Sequence, residues 1–160
     1  ADIVGTSTGA AFWLGGDAVL QDCTASENNT GIYVSGPRAI IDTCQVSANV
    51  QFGVFIDGAA DALIEGSGIK GNNTTSAVPG GGVYLLNSQR TTVRENDLAS
   101  NAIADVWIQN GDNHVIIDNG IGCPTSILLQ GTIGTNNFYP VSPGAGANDP
   151  HANRAHNASC

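Results

Sequence analysis

Three carboxylates, Asp57, Asp61 and Asp105, are the candidates for acid–base catalysis in this sequence. Asp57 closes one short run of apolar and aromatic residues, Asp105 opens another, and Asp61 stands four residues beyond Asp57. Cleaving a glycosidic bond takes two carboxyl groups about 5–10 Å apart. A lyase takes a base and cations that neutralise a sugar carboxylate. The cations are Arg38, Lys70, Arg90, Arg94 and Arg154, and none lies in such an apolar run. His114 sits among polar residues and is expected in a solvated turn. A second chemistry belongs to aromatic rings: Trp13, Tyr33, Phe55, Tyr84 and Trp107, five of the chain's nine, each centre one of these runs. Their faces can stack on flat apolar surfaces. Asp57, Asp105 and Gln109 are the hydrogen-bonding groups beside them. The four cysteines lack the CxxC spacing of a zinc site, so no metal is expected. No other cofactor is expected either.

The elements that must position these residues come from a repeat. Gly31-Ile32-Tyr33-Val34-Ser35, Gly53-Val54-Phe55-Ile56-Asp57, Gly82-Val83-Tyr84-Leu85-Leu86, Asp105-Val106-Trp107-Ile108-Gln109 and Ser126-Ile127-Leu128-Leu129-Gln130 are versions of one segment. Ala11-Phe12-Trp13-Leu14-Gly15 is an earlier version, and the central positions are spaced by 20, 22, 29, 23 and 21 residues. Two further columns run in step: Leu20, Ile41, Ile64, Val93, Ile116, and then Ala25, Val46, Ile69, Leu98, Ile121. Three short strands per lap of about 22 residues predict a parallel β-helix. Its coils would lie about 4.8 Å apart, which puts Asp57 and Asp105 about 16 Å from each other, too far for a catalytic pair. Asp57 and Asp61 are closer but divided by a turn. Side chains alternate along a strand, so with Ile32 and Val34 inward the ring column faces outward as a stripe. A long apolar stripe marks an interface. Three readings stay open: a stacking platform for sugar rings, a contact with another subunit, or a surface covered by the chain's own tail through Phe138 and Tyr139.

Polar columns complete each lap. Asn28, Asn49, Asn72 and Asn101 recur at one turn, where Asn can take the left-handed backbone conformation and bond its equivalent in the next coil. The same columns make glycosylation of the sequon-like Asn28 and Asn72 unexpected; a third such triplet begins at Asn157. Cys23, Cys44, Ser67, Asn96 and Asn119 form a second column. Coil spacing falls inside the Cα range of a disulfide, about 4.4–6.8 Å, so Cys23 and Cys44 are either bonded or two buried thiols. Cys123 and Cys160 could pair in turn and pin the tail, which would suit an oxidising compartment. Asp17, Arg38, Asp61, Arg90 and Asp112 alternate in sign and read as an exposed ion-pair ladder, each pair contributing about 0–1 kcal/mol. Glu65 and Arg94 align similarly. Asn73–Gly81 is the one insertion and is expected beside Tyr84. Residues 1–131 thus form the solenoid, and 132–160 a Gly-, Asn- and Pro-rich capping tail packed on it. No apolar run is long enough to span a membrane. A net charge of −9 argues against a nucleic-acid partner. With no Met and no leader peptide, the numbering is expected to begin at a processed terminus or inside a longer chain.

With its three-strand coils, Asn columns and aliphatic columns, the stretch from about 9 to 131 resembles the right-handed parallel β-helix of the pectin lyase-like superfamily. The resemblance implies an all-β solenoid of about five to six coils with an irregular C-terminal tail. It also implies an extracellular or virion-surface protein that acts on or binds polysaccharide along the outer face of the first sheet. On this chain that face carries Tyr33, Phe55, Tyr84 and Trp107 with Asp57 and Gln109. The paired Asp with His-Gly and Arg-x-Lys of polygalacturonases is absent, and Asp149-Pro150-His151 matches only a fragment of the alginate epimerase motif. No catalytic pair is recognisable, and an enzyme of this kind would be a polysaccharide hydrolase or lyase. The expected function is a polysaccharide-recognising module. The alternative is a fibre or tailspike shaft that assembles through the same stripe, as a homotrimer or with another subunit.

Overall fold

The computed structural model describes residues 2–5, 9–122, 127–131, 141–142 and 153–155, and they contain strands but no helix. Strand β1 (Asp2–Val4) precedes five laps of three strands each. These are β2 (Ala10–Leu14), β3 (Val19–Gln21) and β4 (Thr24–Ser26); β5 (Thr30–Val34), β6 (Ile40–Asp42) and β7 (Gln45–Ser47); β8 (Phe52–Asp57), β9 (Leu63–Glu65) and β10 (Gly68–Lys70); β11 (Gly81–Leu86), β12 (Thr92–Arg94) and β13 (Asp97–Ala99); and β14 (Val106–Gln109), β15 (Val115–Ile117) and β16 (Gly120–Ile121). β17 (Ile127–Gln130) starts a sixth lap, and β18 (Val141–Ser142) and β19 (Asn153–Ala155) follow.

First strands pair only with first strands, second with second and third with third, all in parallel. The result is a three-sided parallel β-helix. All six predicted ring positions share one register, from Trp13↔Tyr33 through Tyr33↔Phe55, Phe55↔Tyr84 and Tyr84↔Trp107 to Trp107↔Leu128. The two aliphatic columns are also in register, Leu20 to Ile116 in the second sheet and Ala25 to Ile121 in the third. β19 extends the third sheet by pairing with β16.

The core is the inside of the triangle. Ile32, Val34, Val54, Ile56, Val83, Leu85, Val106 and Ile108 from the first sheet meet Ile41, Ile64, Val93 and Ile116 from the second and Val46, Ile69, Leu98 and Ile121 from the third. Left-handed residues make the corners: Arg38, Thr43 and Ala48 in one lap, and Gly58 with Asp61, then Gly66 and Gly71, in the next. Such a residue costs about 1–2 kcal/mol when it carries a Cβ. Here the cost is offset by bonds to the next coil, such as Arg38 N–H to Ala60 O at 2.9 Å and Thr43 N–H to Glu65 O at 3.2 Å.

The Asn column is a continuous ladder, though not for both of the expected reasons. The left-handed corner belongs to the preceding residues, Glu27, Ala48, Gly71 and Ser100, and the asparagines themselves are not left-handed. Their amides do the work: Asn28 N–H, Asn49 N–H and Asn72 N–H donate to the Oδ1 of Asn49, Asn72 and Asn101 at 3.0, 3.2 and 3.0 Å. Asn28 and Asn72 are buried, which closes both to a glycosyl group. In the second polar column Ser67 N–H and Asn96 N–H donate to Asn96 and Asn119 Oδ1, both at 3.0 Å. Cys23 and Cys44 there are joined by a disulfide with Cα atoms 4.5 Å apart. Cys123, Cys160, the Phe138-Tyr139 pair, Asp149-Pro150-His151 and Asn157 lie outside the described residues.

Two corner assignments are corrected. Arg38 and Arg90 clasp Asp17 and Asp61 with two bonds each, at 2.6 and 2.7 Å and at 2.6 and 2.9 Å. The fifth member of that column is Asn113, however, not Asp112. Asp112 aligns with Gln89, one step earlier, and Asn113 has the left-handed backbone. His114, expected in solvent, is fully buried at the next position. There its Nδ1 accepts from Thr91 N–H at 3.2 Å, so the imidazole is neutral.

Candidate functional site

The outer face of the first sheet carries a graded stripe of rings. Trp13 is 74% exposed, Tyr33 and Phe55 are half-buried, and Tyr84 and Trp107 are 2% and 3% exposed. The register expected from sequence is therefore met, but a uniformly open stripe is not. Phe52 packs parallel to Tyr84, with centroids 5.1 Å apart and planes 7° apart. Ala104, Ile103 and Leu128 join the same cluster, so Tyr84 and Trp107 behave as an outer core rather than a free surface.

The open end of the stripe borders a groove of about 310 Å³, with Trp13, Tyr33, Phe52 and Phe55 as its apolar lining and Asn29, Thr30 and Gln51 as polar groups. Trp13 meets Tyr33 edge to face at 5.0 Å and 82°, and Tyr33 meets Phe55 in the same way at 5.3 Å and 81°. Each such contact is worth about 0.5–1.5 kcal/mol beyond area burial and fixes the ring it braces. Phe52 escaped the sequence pattern because its register partners are Thr30 and Gly81, so no aromatic column announces it.

Polar ring tips are fixed by the fifth position of the following coil. Trp13 Nε1–H donates to Ser35 Oγ at 2.9 Å, Tyr33 O–H to Asp57 Oδ2 at 2.8 Å, and Tyr84 O–H to Gln109 Oε1. The bond to Asp57, with burial and the carboxylate charge behind it, raises the Tyr33 pKa above the ordinary phenol value. Burial, then the charge of Asp57, raises that of Tyr84. Both phenols stay protonated near neutrality. Asp57 and Gln109 thus stand on the ring face as expected, each already holding a tyrosine hydroxyl.

The insertion shapes the groove from its flank. Asn73 braces the loop through Ala77, its Oδ1 accepting from the N–H at 2.7 Å and its Nδ2 donating to the carbonyl at 2.9 Å. Thr75 Oγ1 donates to Val50 O at 3.2 Å, and Gln51 Nε2 donates to Pro79 O at 2.9 Å. The loop therefore holds Gln51 in the groove wall, a role that spacing alone did not indicate.

The three catalytic candidates are not brought together. Asp61 lies at a corner in its ion pair with Arg90, whose bond and charge lower the carboxyl pKa against a smaller opposing effect of burial. Asp105 points inward instead of lying on the ring face. It is 1% exposed, accepting from Asn101 Nδ2 at 2.8 Å and from Gly122 N–H at 2.6 Å. The reason is local. Its coil mates Gly31, Gly53 and Gly82 have no Cβ, and one built on Gly53 would sit 2.8 Å from the Asn72 amide. Past Asn101 the ladder has no further Asn, and the Asp105 carboxylate receives that amide. Asp57 remains as the carboxylate reached from the groove, through Tyr33.

Charge around the groove is one-sided. Arg38, Lys70, Arg90 and Arg94 are each paired, with Asp17, Asp97, Asp61 and Glu65. Among the described residues no Lys or Arg lines the groove.

Residues 5–137 match a family described as the right handed beta helix region. No curated protein matches the chain by sequence. Among solved structures, the chain resembles the enzymatically active domain of tailspike protein 2 of bacteriophage CBA120, at 13% identity and a TM-score of 0.66, over 96% of this chain and 24% of that one. It also resembles the A-module of a mannuronan C-5 epimerase from Azotobacter vinelandii, at 18% identity and a TM-score of 0.65, over 94% of this chain and 50% of that one. The chain thus spans half the length of these structures or less.

Proposed function

The chain belongs to the right-handed β-helix family, and from that premise we propose that it is a glycan-recognising module of an extracellular or virion-surface protein. The observation that carries this reading is the open groove beside Trp13, an apolar floor of fixed rings edged by amide and hydroxyl groups. Concave sites with apolar walls and a few placed polar groups suit small ligands. A pyranose has a C–H face for a ring and a hydroxyl edge for amides. Trp13 supplies the exposed ring face, Tyr33 and Phe55 continue it, and Asn29, Gln51 and Asp57 accept or donate at the edge. Further along the face, Tyr84 packs against Phe55 and Trp107 against Tyr84, and Gln109 holds the Tyr84 hydroxyl.

The groove is read as binding, not cleaving, because one carboxylate serves it. In a longer protein, hydrolase or lyase chemistry would lie on neighbouring coils or across a subunit contact. Support for glycan as the ligand class comes from the family and from the two neighbours named above, one an enzymatically active tailspike domain and the other an enzyme acting on mannuronan.

A ligand that covers about 60 Å² of the Trp13 ring gains about 1.5 kcal/mol from it. Trp13→Ala is therefore expected to weaken oligosaccharide binding about tenfold in calorimetry and to remove a ligand-dependent change in tryptophan emission, whereas Trp107→Phe leaves that change in place. Equal affinity of wild type and Trp13→Ala would refute the assignment of the groove. Assembly through the stripe is the second reading, favoured by the exposure of Trp13 and, nearby in sequence, Val19 at 64%. A monomer at micromolar concentration in sedimentation would count against it.

A further inference from the structure

We infer that the groove selects neutral glycans over anionic ones such as polyuronates. The inference rests on the glycan-binding reading above and goes on to name the substrate class. A site for a sugar carboxylate needs a cation to receive it, since a guanidinium fork or an ammonium replaces the water lost on binding. In this protein each described Lys or Arg side chain already holds a carboxylate. Arg38 and Arg90 sit at the corner after the first sheet, Arg94 lies on the second sheet and Lys70 on the third.

What the groove offers instead is apolar or uncharged: four rings, a threonine, and the amides of Asn29 and Gln51. At the tip of Tyr33 stands the Asp57 carboxylate, which has the wrong sign for a uronate. The chain's net charge of −9 adds a field that repels polyanions before contact. Gln51 gives one of its two Nε2–H groups to Pro79 O, and what it keeps for a ligand, Oε1 and the second N–H, carries no charge.

The test is calorimetric titration of the whole chain with mannotetraose, cellotetraose, tetramannuronate and tetragalacturonate, at about 0.01 M and about 1 M salt, where screening lengths are about 30 and 3 Å. The expected result is that a neutral tetrasaccharide binds at least tenfold more tightly than either uronate at low salt. The ratio should shrink at high salt because only the uronates gain from screening. Asp57→Asn should also shrink the ratio at low salt, a readout that general damage to the groove would not imitate. Uronates that bind as tightly as the neutral sugars, or a ratio unmoved by both salt and Asp57→Asn, would overturn this inference and leave the groove a glycan site. Absence of binding by all four sugars would overturn the glycan reading itself, and this inference with it.

Discussion

Replacing Asn72 with Ala tests whether the ladder inside the solenoid holds its coils together. Asn72 is buried in the middle of the column, and its amide makes four bonds. Oδ1 accepts from Asn49 N–H at 3.2 Å and from Asn49 Nδ2 at 2.8 Å. Nδ2 donates to Val46 O at 3.0 Å and to Asn101 Oδ1 at 3.0 Å. In Asn72→Ala, Asn49 Nδ2 keeps Ala25 O and Asn101 Oδ1 keeps the Asn72 N–H, but the buried Asn49 N–H has nothing left to bond. Leaving that donor unpaired costs about 2 kcal/mol, and losing the two Nδ2 bonds about 1 kcal/mol each, for a total of about 4 kcal/mol. With a urea slope of about 2 kcal/mol/M, the unfolding midpoint should fall by about 2 M. Urea denaturation followed by tryptophan emission and circular dichroism reads this directly. The paired control is Arg90→Ala, which removes a two-bond ion pair that is largely in water; its midpoint should match wild type within error. If Arg90→Ala costs as much as Asn72→Ala, or Asn72→Ala costs nothing, buried amide bonding is not what joins the coils.

Two further outcomes follow from single groups. Burial lowers the His114 pKa below its ordinary value, although the charge of Asp112 and the backbone groups of Thr91 and Ser88 act the other way. The native state therefore resists a proton that the unfolded chain accepts at about pH 6.5. Stability is unaffected by this group above that pH and falls as the pH drops from there toward the lowered native value, by at most about 1.4 kcal/mol per unit. His114→Asn, which keeps an acceptor for Thr91 N–H, should flatten that slope between pH 7 and 5 in thermal melts, to about half a unit's precision in the midpoint of the fall; an unchanged slope would refute the assignment. Reducing the Cys23–Cys44 bond opens a 21-residue loop and should cost about 3 kcal/mol in the chain-entropy account. Urea midpoints with and without reductant would show it, and identical midpoints would contradict it.

What sequence could and could not reveal follows from which contacts repeat. Tyr33, Phe55 and Tyr84 share a register because each coil copies the last, so spacing alone placed them on one face. The Cys23–Cys44 column followed from the same arithmetic, as did the pairing of Glu65 with Arg94. Asp112 went astray by one position because a corner tolerates a shift of one residue where a paired strand does not. Asp105 went astray because strand alternation takes no account of an amide ladder that has run out of asparagines.

By itself, then, the order of residues determined the lap length, the three sheets and the inward aliphatic columns, since these depend on periodicity within about 22 residues. Only the tertiary structure decided which rings are open. Trp13 and Trp107 occupy equivalent positions in the repeat, yet one is 74% exposed and the other 3%. Exposure depends on what packs across the outside of the coils, and Phe52, Ile103 and Ala104 reach the ring face from just before the repeated segment, where the coils keep no common residue type. A periodic pattern carries no information about such neighbours.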